Sequence, residues 1–270
     1  MYFYIYDSFL SERRYERELA AVEARLTDLG LSGKVSRLTP FNNARGLIRD
    51  ETRRGAQTIV AVGNDETVGK VIDGLAEASI TLGIIPIGAP TSIADVLGVP
   101  VGVEACEVLS RRVAGRVDLG SANGHLFLSE VRVAGPGISV ETDGHFRLTL
   151  LDDTSEFLVS NLRNRDMASG LAPSRAGDPR DGLLDLMVFP TVSGGLFSRL
   201  RVNSGVTVIP TQRATFSAEE PFDVLADGRE FSTDSLVVEI VPDRLKVISG
   251  RERVFEVEEA AVAYSLTAGN

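Results

Sequence analysis

Residues Thr58 to Leu75 read TIVAVGNDETVGKVIDGL, and this stretch decides the fold. Thr58, Ile59, Val60, Ala61 and Val62 form a β-branched, apolar run of the kind found in a buried parallel strand. Val68, Val71, Ile72 and Leu75 then recur at helical spacing. Gly63 permits a sharp turn between the two, and the helix N-terminus behind it presents free N–H groups and a partial positive charge to an anion. A strand, tight turn and helix in this order predict a site for a phosphorylated ligand.

The flanking sequence repeats the pattern. Tyr2 to Tyr6 is strand-like, and Tyr15, Leu19, Val22, Leu26 and Leu29 mark one apolar helix face ending at Gly30. A helix is expected around Ala44 to Arg54, a strand at Gly83 to Ile87, and a short helix from about Thr91 to Leu97. Repeated βα units predict a parallel sheet with right-handed crossovers, and ligands of such sheets bind at the carboxyl ends of strands, where Gly63 and Gly88 both lie. From Asp118 the character changes. His125 to Val133, Phe146 to Leu151, Phe157 to Ser160, Leu183 to Phe189, Val206 to Ile209, Phe222 to Leu225 and Leu236 to Val241 read as strands separated by turn residues. The expected fold is therefore α/β plus β: a Rossmann-like parallel-sheet domain over 1–117 and a β-sandwich over 118–255, with the cleft between them as the site.

Composition narrows the function classes. The 270 residues carry a formal net charge of −10, which argues against general binding to nucleic acid or an anionic membrane through the whole surface. Local basic clusters remain, at Arg111, Arg112 and Arg116 and at Arg163, Arg165, Arg175 and Arg180. The start MYFYIYDSF reads as a strand rather than a signal peptide, no apolar run reaches the length of a membrane span, and a cytoplasmic location is expected. Cys106, the single cysteine, is expected to be buried in a helix. His125 and His145 have no metal-ligand spacing around them, and the serines have no Gly-x-Ser-x-Gly elbow. Gly63 to Lys70 is not a Walker motif: five residues separate Gly63 from Gly69, and Val71 stands where Ser or Thr would bind magnesium.

Two turns stand at the ends of neighbouring strands, Gly63-Asn64-Asp65-Glu66-Thr67 and Pro86-Ile87-Gly88-Ala89-Pro90-Thr91-Ser92. With Asp73-Gly74-Leu75, the run Ala94, Leu97, Gly98 and Pro100, and the later Asp118-Leu119-Gly120, Asn123-Gly124, Phe127, Ala172-Pro173, Asp181-Gly182-Leu183-Leu184-Asp185 and Asp227-Gly228, the chain resembles the diacylglycerol kinase catalytic-domain family. That family includes bacterial lipid kinases and sphingosine kinases and is more distantly similar to NAD kinase. The resemblance implies an ATP-dependent kinase that needs Mg2+ and transfers the γ-phosphoryl group to a hydroxyl acceptor, a small molecule or lipid, in the interdomain cleft. Charge and hydropathy predict no nucleic-acid partner and no transmembrane segment, transient contact with a membrane surface and a homodimer are left open, and the family pattern implies completion of the first domain by residues 256–270. Nucleotide contacts would fall to Gly63, Asn64, Glu66, Thr67, Gly88, Thr91 and Ser92, catalysis to Asp65 and Glu230, and a divalent ion to Asp181.

Departures from the family pattern are concentrated in the same turns. Asn64 and Glu66 replace glycines that let backbone approach phosphate, and a carboxylate about 4 Å from a phosphate charge is repelled by roughly 4 kcal/mol at an effective dielectric of about 20. Glu66 must point away or bind a bridging metal ion. Ala89, Thr91 and Ser92 replace Thr, Asn and Asp; Arg229 stands at the usual base position with Glu230 beside it; and Tyr6-Asp7-Ser8-Phe9 replaces the Asn-Pro-x-Ser-Gly start. Each candidate also has a structural role open to it. Asp65 or Thr67 can cap a helix, and Asp181 can form an Asp-Gly turn. A catalytically silent nucleotide- or lipid-binding protein, or a kinase of a soluble acceptor more like NAD kinase, are the alternatives.

Overall fold

The computed structural model describes residues 1–39, 42–143, 146–149, 156–162, 178–189, 207–253 and 255. Arg163, Arg165, Arg175, His145, Ala172-Pro173, Val206 and the expected return of residues 256–270 lie outside them.

The apolar runs of the first half become a parallel sheet in the order β2 (Lys34–Arg37), β1 (Tyr2–Tyr6), β3 (Thr58–Gly63) and β4 (Thr81–Pro86). In register, Tyr4 lies between Val35 and Val60, and Ile59 pairs with Leu82. Strand β1 is buried at every position and β3 at all but Thr58, as expected where helices cover both faces. The helices are α1 (Glu16–Asp28), α2 (Ala44–Arg53), α3 (Asp65–Ala78), α4 (Ser92–Val96) and α5 (Ala105–Arg111). Leu19, Val22 and Leu26 of α1 and Val68, Val71, Ile72 and Leu75 of α3 point into one core with the sheet. Cys106 on α5 belongs to that core, and burial pushes its thiol up to about 11.

The second half supplies β5 (Ala114–Ala122), β6 (His125–Phe127), β7 (Glu130–Ala134), β8 (Ser139–Thr142), β9 (Phe146–Thr149), β10 (Glu156–Ser160), β11 (Leu184–Phe189), β12 (Thr207–Thr211), β13 (Arg213–Ala226) and β14 (Arg229–Ile248). They surround a second core that includes Phe127, Val131, Val133, Phe157, Phe216 and Leu236. The two halves share one continuous sheet. β14 runs 20 residues, pairing with β13 along its first part and with β5, then meeting β4 in parallel where Val247 faces Leu82. Leu245, Val247, Ile248 and Phe255 consequently sit in the first core, within the range 118–255 that the sequence reading gave to the second domain.

Three expected strands differ in extent. His125 to Val133 is broken at Leu128 and Ser129, whose N–H groups leave the ladder to donate to the Asp227 carboxylate at 2.6 and 3.1 Å. Phe222 to Leu225 and Leu236 to Val241 are parts of much longer strands joined by the two-residue turn Asp227-Gly228. Both turn residues have positive φ, 42° and 80°, as the tight hairpin turn that suits twisted strands requires.

Candidate active site

The turn after β3 is closed by its own side chains. Asn64 caps α3: its Oδ1 accepts the Thr67 N–H at 3.2 Å, while Thr67 Oγ1 accepts the Asn64 N–H at 3.1 Å. This reciprocal capping box satisfies donors that a helix N-terminus would otherwise offer to an anion. Gly63 has φ 152°, and any Cβ there would collide with the Thr67 hydroxyl, so the family glycine at this position is required by the chain itself. Thr67 is fully buried and donates from Oγ1 to Asp7 Oδ2 at 2.8 Å. Lys70 donates to the same oxygen at 2.8 Å. Burial alone would raise the Asp7 carboxyl, but the bonds from Lys70 and Thr67 outweigh it and hold the group below its ordinary range.

The two turns are bonded into one unit. Asn64 Nδ2 donates to the Ala89 carbonyl at 3.0 Å, the Asp65 N–H to the Pro90 carbonyl at 2.9 Å, and the Ile87 N–H to the Gly63 carbonyl at 2.9 Å. Asp65 does not cap its own helix. Its carboxylate accepts the N–H groups of Ser92 at 2.8 Å and Ile93 at 3.1 Å, and so caps α4 across the gap. Burial pushes Asp65 up to about 7 against the pull of those two bonds, and the nearby Asp227 charge adds to the rise.

Asp65 opens onto a cavity of about 500 Å³ where the two cores meet, lined also by Glu66, Ser92, Glu130, Arg132, Leu162, Asp227 and Glu230. The Asp227 carboxylate accepts from the N–H groups of Leu128, Ser129 and Glu130. Burial still pushes it up to about 6, so at neutral pH it is mostly ionised. Its turn rests on α3: a Cβ on Gly69 would overlap the Asp227 carbonyl oxygen, and one on Gly228 would come within 2.6 Å of Glu66 Cγ. Arg229 turns away from the cavity to Asp73 at 3.2 Å and His125 Nδ1 at 3.1 Å. Glu230, one residue on, faces the cavity, as strand alternation requires. The charge balance is acidic: five carboxylates against Arg132, which is itself paired to Glu130 at 2.8 Å and Glu156 at 3.3 Å.

The structure therefore gathers Asp65, Glu66, Ser92 and Glu230 in one cavity. Asn64 and Thr67 lie buried beneath it, and Gly88, with φ 79°, packs beside Phe9 and Tyr15. Thr91 occupies the cap position of α4 without a side-chain cap bond. Asp181 is exposed, lies outside the cavity lining, and its Oδ1 accepts the Leu183 N–H at 2.9 Å in an Asp-Gly turn. Among the described residues no group of three or more His, Cys, Asp or Glu side chains is arranged to hold a metal ion. Sequence reading missed Glu130 and Arg132. The available signal was the alternation Glu130-Val131-Arg132-Val133, polar residues on one strand face and core residues on the other.

Comparison with known proteins agrees with this architecture. Residues 2–122 match the family model described as the diacylglycerol kinase catalytic domain. The chain is 27% identical over 212 residues to "Diacylglycerol kinase" of Bacillus subtilis (strain 168), covering 75% of this chain and 69% of that protein. It is 27% identical over 246 residues to "Probable lipid kinase YegS-like" of Pseudomonas aeruginosa (strain UCBPP-PA14), covering 76% and 80%. A crystal structure of a diacylglycerol kinase from Bacillus anthracis str. Sterne shares the fold with a TM-score of 0.71 at 18% identity, over 94% of this chain and 98% of that one. A second from the same strain, titled as a putative diacylglycerol kinase, gives 0.73 at 17% over 94% and 97%. Residues 2–122 are thus similar to the diacylglycerol kinase catalytic domain, and the chain as a whole shares the fold of the two solved structures.

Proposed function

We propose that the protein is a phosphotransferase of the lipid-kinase type that uses ATP to phosphorylate a hydroxyl acceptor in the cavity between its two cores. The observation that supports this most is Asp65: held by two N–H bonds, facing the cavity and pushed up to about 7, it suits a group that receives a hydroxyl proton near neutral pH. Glu230 is a second carboxylate lining the same cavity, with Ser92 and Glu66.

The donor set fits a magnesium complex better than bare phosphate. Much of the donor capacity at the first turn is already engaged internally, Lys70 is committed to Asp7, and five carboxylates would repel a triphosphate. Magnesium is ordinarily held by one or two carboxylates together with substrate phosphates rather than by a protein cage, and Glu66 on the cavity wall would supply one. Bound there, the ion would neutralise the charge of the transferring group. The bonds from Ser92 and Ile93, one to each carboxylate oxygen, would fix the orientation of Asp65 at the cavity wall. A lipid acceptor implies action at a membrane surface from the cytoplasm; among the described residues no helix is long and apolar enough to cross a membrane.

One observation favours a second reading, a catalytically silent member that binds nucleotide or lipid: the side chains of Asn64 and Thr67 fill the turn where the family has backbone open to phosphate. Incubation with labelled ATP and Mg2+ against diacylglycerol, a sphingoid base, undecaprenol and NAD separates the two. Phosphorylated product supports the kinase, and NAD as sole acceptor would move the assignment to a soluble substrate. No product, with an ATP-dependent rise in Tm, supports the silent member.

A further inference from the structure

A second pocket shares no lining residue with the acidic cavity. It encloses about 230 Å³ and is lined by Val108 and Arg111 of α5, Val113, and the segment Ser249 to Arg253 that follows β14, without Glu252. Three guanidinium-bearing residues and no carboxylate face it, in a protein whose net charge is −10. The segment is held in place by backbone bonds, Ser249 N–H to the Val113 carbonyl at 2.9 Å and Gly250 N–H to the Leu97 carbonyl at 2.8 Å. Arg253 donates from Nη1 to the Gly250 carbonyl at 2.9 Å, which fixes its side chain against the pocket wall.

Two polar atoms here are unused. Ser249 is 3% exposed, and its Oγ has no hydrogen-bond partner among the described residues; the same is true of the buried Arg253 Nε. Buried donors are nearly always paired, so two unpaired ones on one basic pocket point to a missing acceptor. Arg111 and Arg251 form no ion pair among the described residues, which leaves their charge for a ligand. The last turn of α5 brings a partial negative charge, smaller than that of the three guanidinium groups.

We infer that Arg111, Ser249, Arg251 and Arg253 form a binding site for a small phosphate-type oxyanion, inorganic phosphate or a phosphate monoester headgroup. Guanidinium forks and a hydroxyl donor match its oxygens, and the volume lies below the range of about 300 Å³ and upward that larger organic ligands fill. The volume suits a single phosphate group rather than a whole nucleotide, and none of these residues lines the acidic cavity.

The test uses the full chain and three probes: inorganic phosphate, glycerol phosphate, and phosphatidylcholine vesicles with and without phosphatidic acid. Titration calorimetry and thermal denaturation read the soluble probes, and co-sedimentation reads the vesicles. Saturable binding of either soluble probe is expected, weakened about ten-fold or more by Arg111→Gln or Arg251→Gln. Ser249→Ala should weaken it too while leaving the ligand-free protein at least as stable, because the hydroxyl removed has no partner. Binding confined to phosphatidic acid vesicles, and lost in the same variants, would assign the site to a lipid headgroup. Absence of binding to all three probes, or binding unchanged in the arginine variants, overturns the inference.

Discussion

Replacing Asp65 by asparagine should make the protein more stable in mild alkali while abolishing most of its activity. The wild-type carboxyl titrates at about 7 in the folded chain against an ordinary value of 3.8. Between those values the folded state holds a proton that the unfolded state has released, so stability falls as pH rises, by up to about 1.4 kcal/mol per unit, and the loss is complete once pH passes the folded value. Summed over the interval this is about 4 kcal/mol as a ceiling, which the partial exposure of the side chain reduces to about 2–3 kcal/mol. Asparagine carries no such cost. Its amide oxygen can still accept one of the two N–H groups of α4, so the cap is weakened by about 1 kcal/mol rather than lost. Thermal denaturation of both proteins at intervals from pH 5 to pH 8 should show the variant gaining on the wild type by about 2 kcal/mol, or several degrees in Tm for a chain of this size. Turnover should fall about 100-fold or more if Asp65 receives the acceptor proton. Parallel stability curves for the two proteins would refute the reasoning, since they would mean that the buried carboxylate titrates normally.

Other substitutions probe the joints of the site. Gly69→Ala should lose about 2 kcal/mol or more by denaturant unfolding, despite the gain of about 1 kcal/mol that alanine brings to an open helix position, because its Cβ meets the Asp227 carbonyl. Asp7→Asn should cost about 2–3 kcal/mol at neutral pH, less than a fully buried pair because Lys70 is 46% exposed and can rehydrate. As the folded Asp7 value is depressed, its stabilisation is present above the unfolded value and is lost as pH falls through the folded one, so the two proteins should converge below about pH 4 in chemical denaturation. Glu230→Gln should lower kcat by about 10- to 100-fold with little change in Tm, whereas Arg229→Ala, facing Asp73, should alter kcat far less.

The parallel layer was legible because its strands are continuous apolar runs and its helices carry one apolar face. β2 was not, since Lys34 to Arg37 is a mostly exposed edge strand whose charges blunt the edge and hide the pattern. β13 and β14 were seen only in part, because elsewhere charged and polar residues alternate with or interrupt their buried positions, which include Ala214, Phe216, Leu245 and Val247. The break between β6 and β7 could not be read locally, because it is imposed by Asp227, about a hundred positions away. In the site, Asp65, Glu66, Ser92 and Glu230 were reached through the resemblance of their turns to a family's motifs. The division of labour could not be read that way: a neighbouring Asn-Asp pair offers two candidate caps, and only the fold shows that Asn64 caps α3 while Asp65 reaches across to α4. The position of Glu130 and Arg132 depends on the pairing of β7 with β10 and β13.

The central claim is that a turn closed by Asn64 and Thr67, facing five carboxylates, accepts ATP only as its metal complex. Titration calorimetry of the full chain with ATP in excess Mg2+, and again in a chelator, tests it most directly. Saturable binding with Mg2+ and none in the chelator is the expected result. Equal affinity in both conditions would contradict the claim, because it would show that bare phosphates find open donors at the turn.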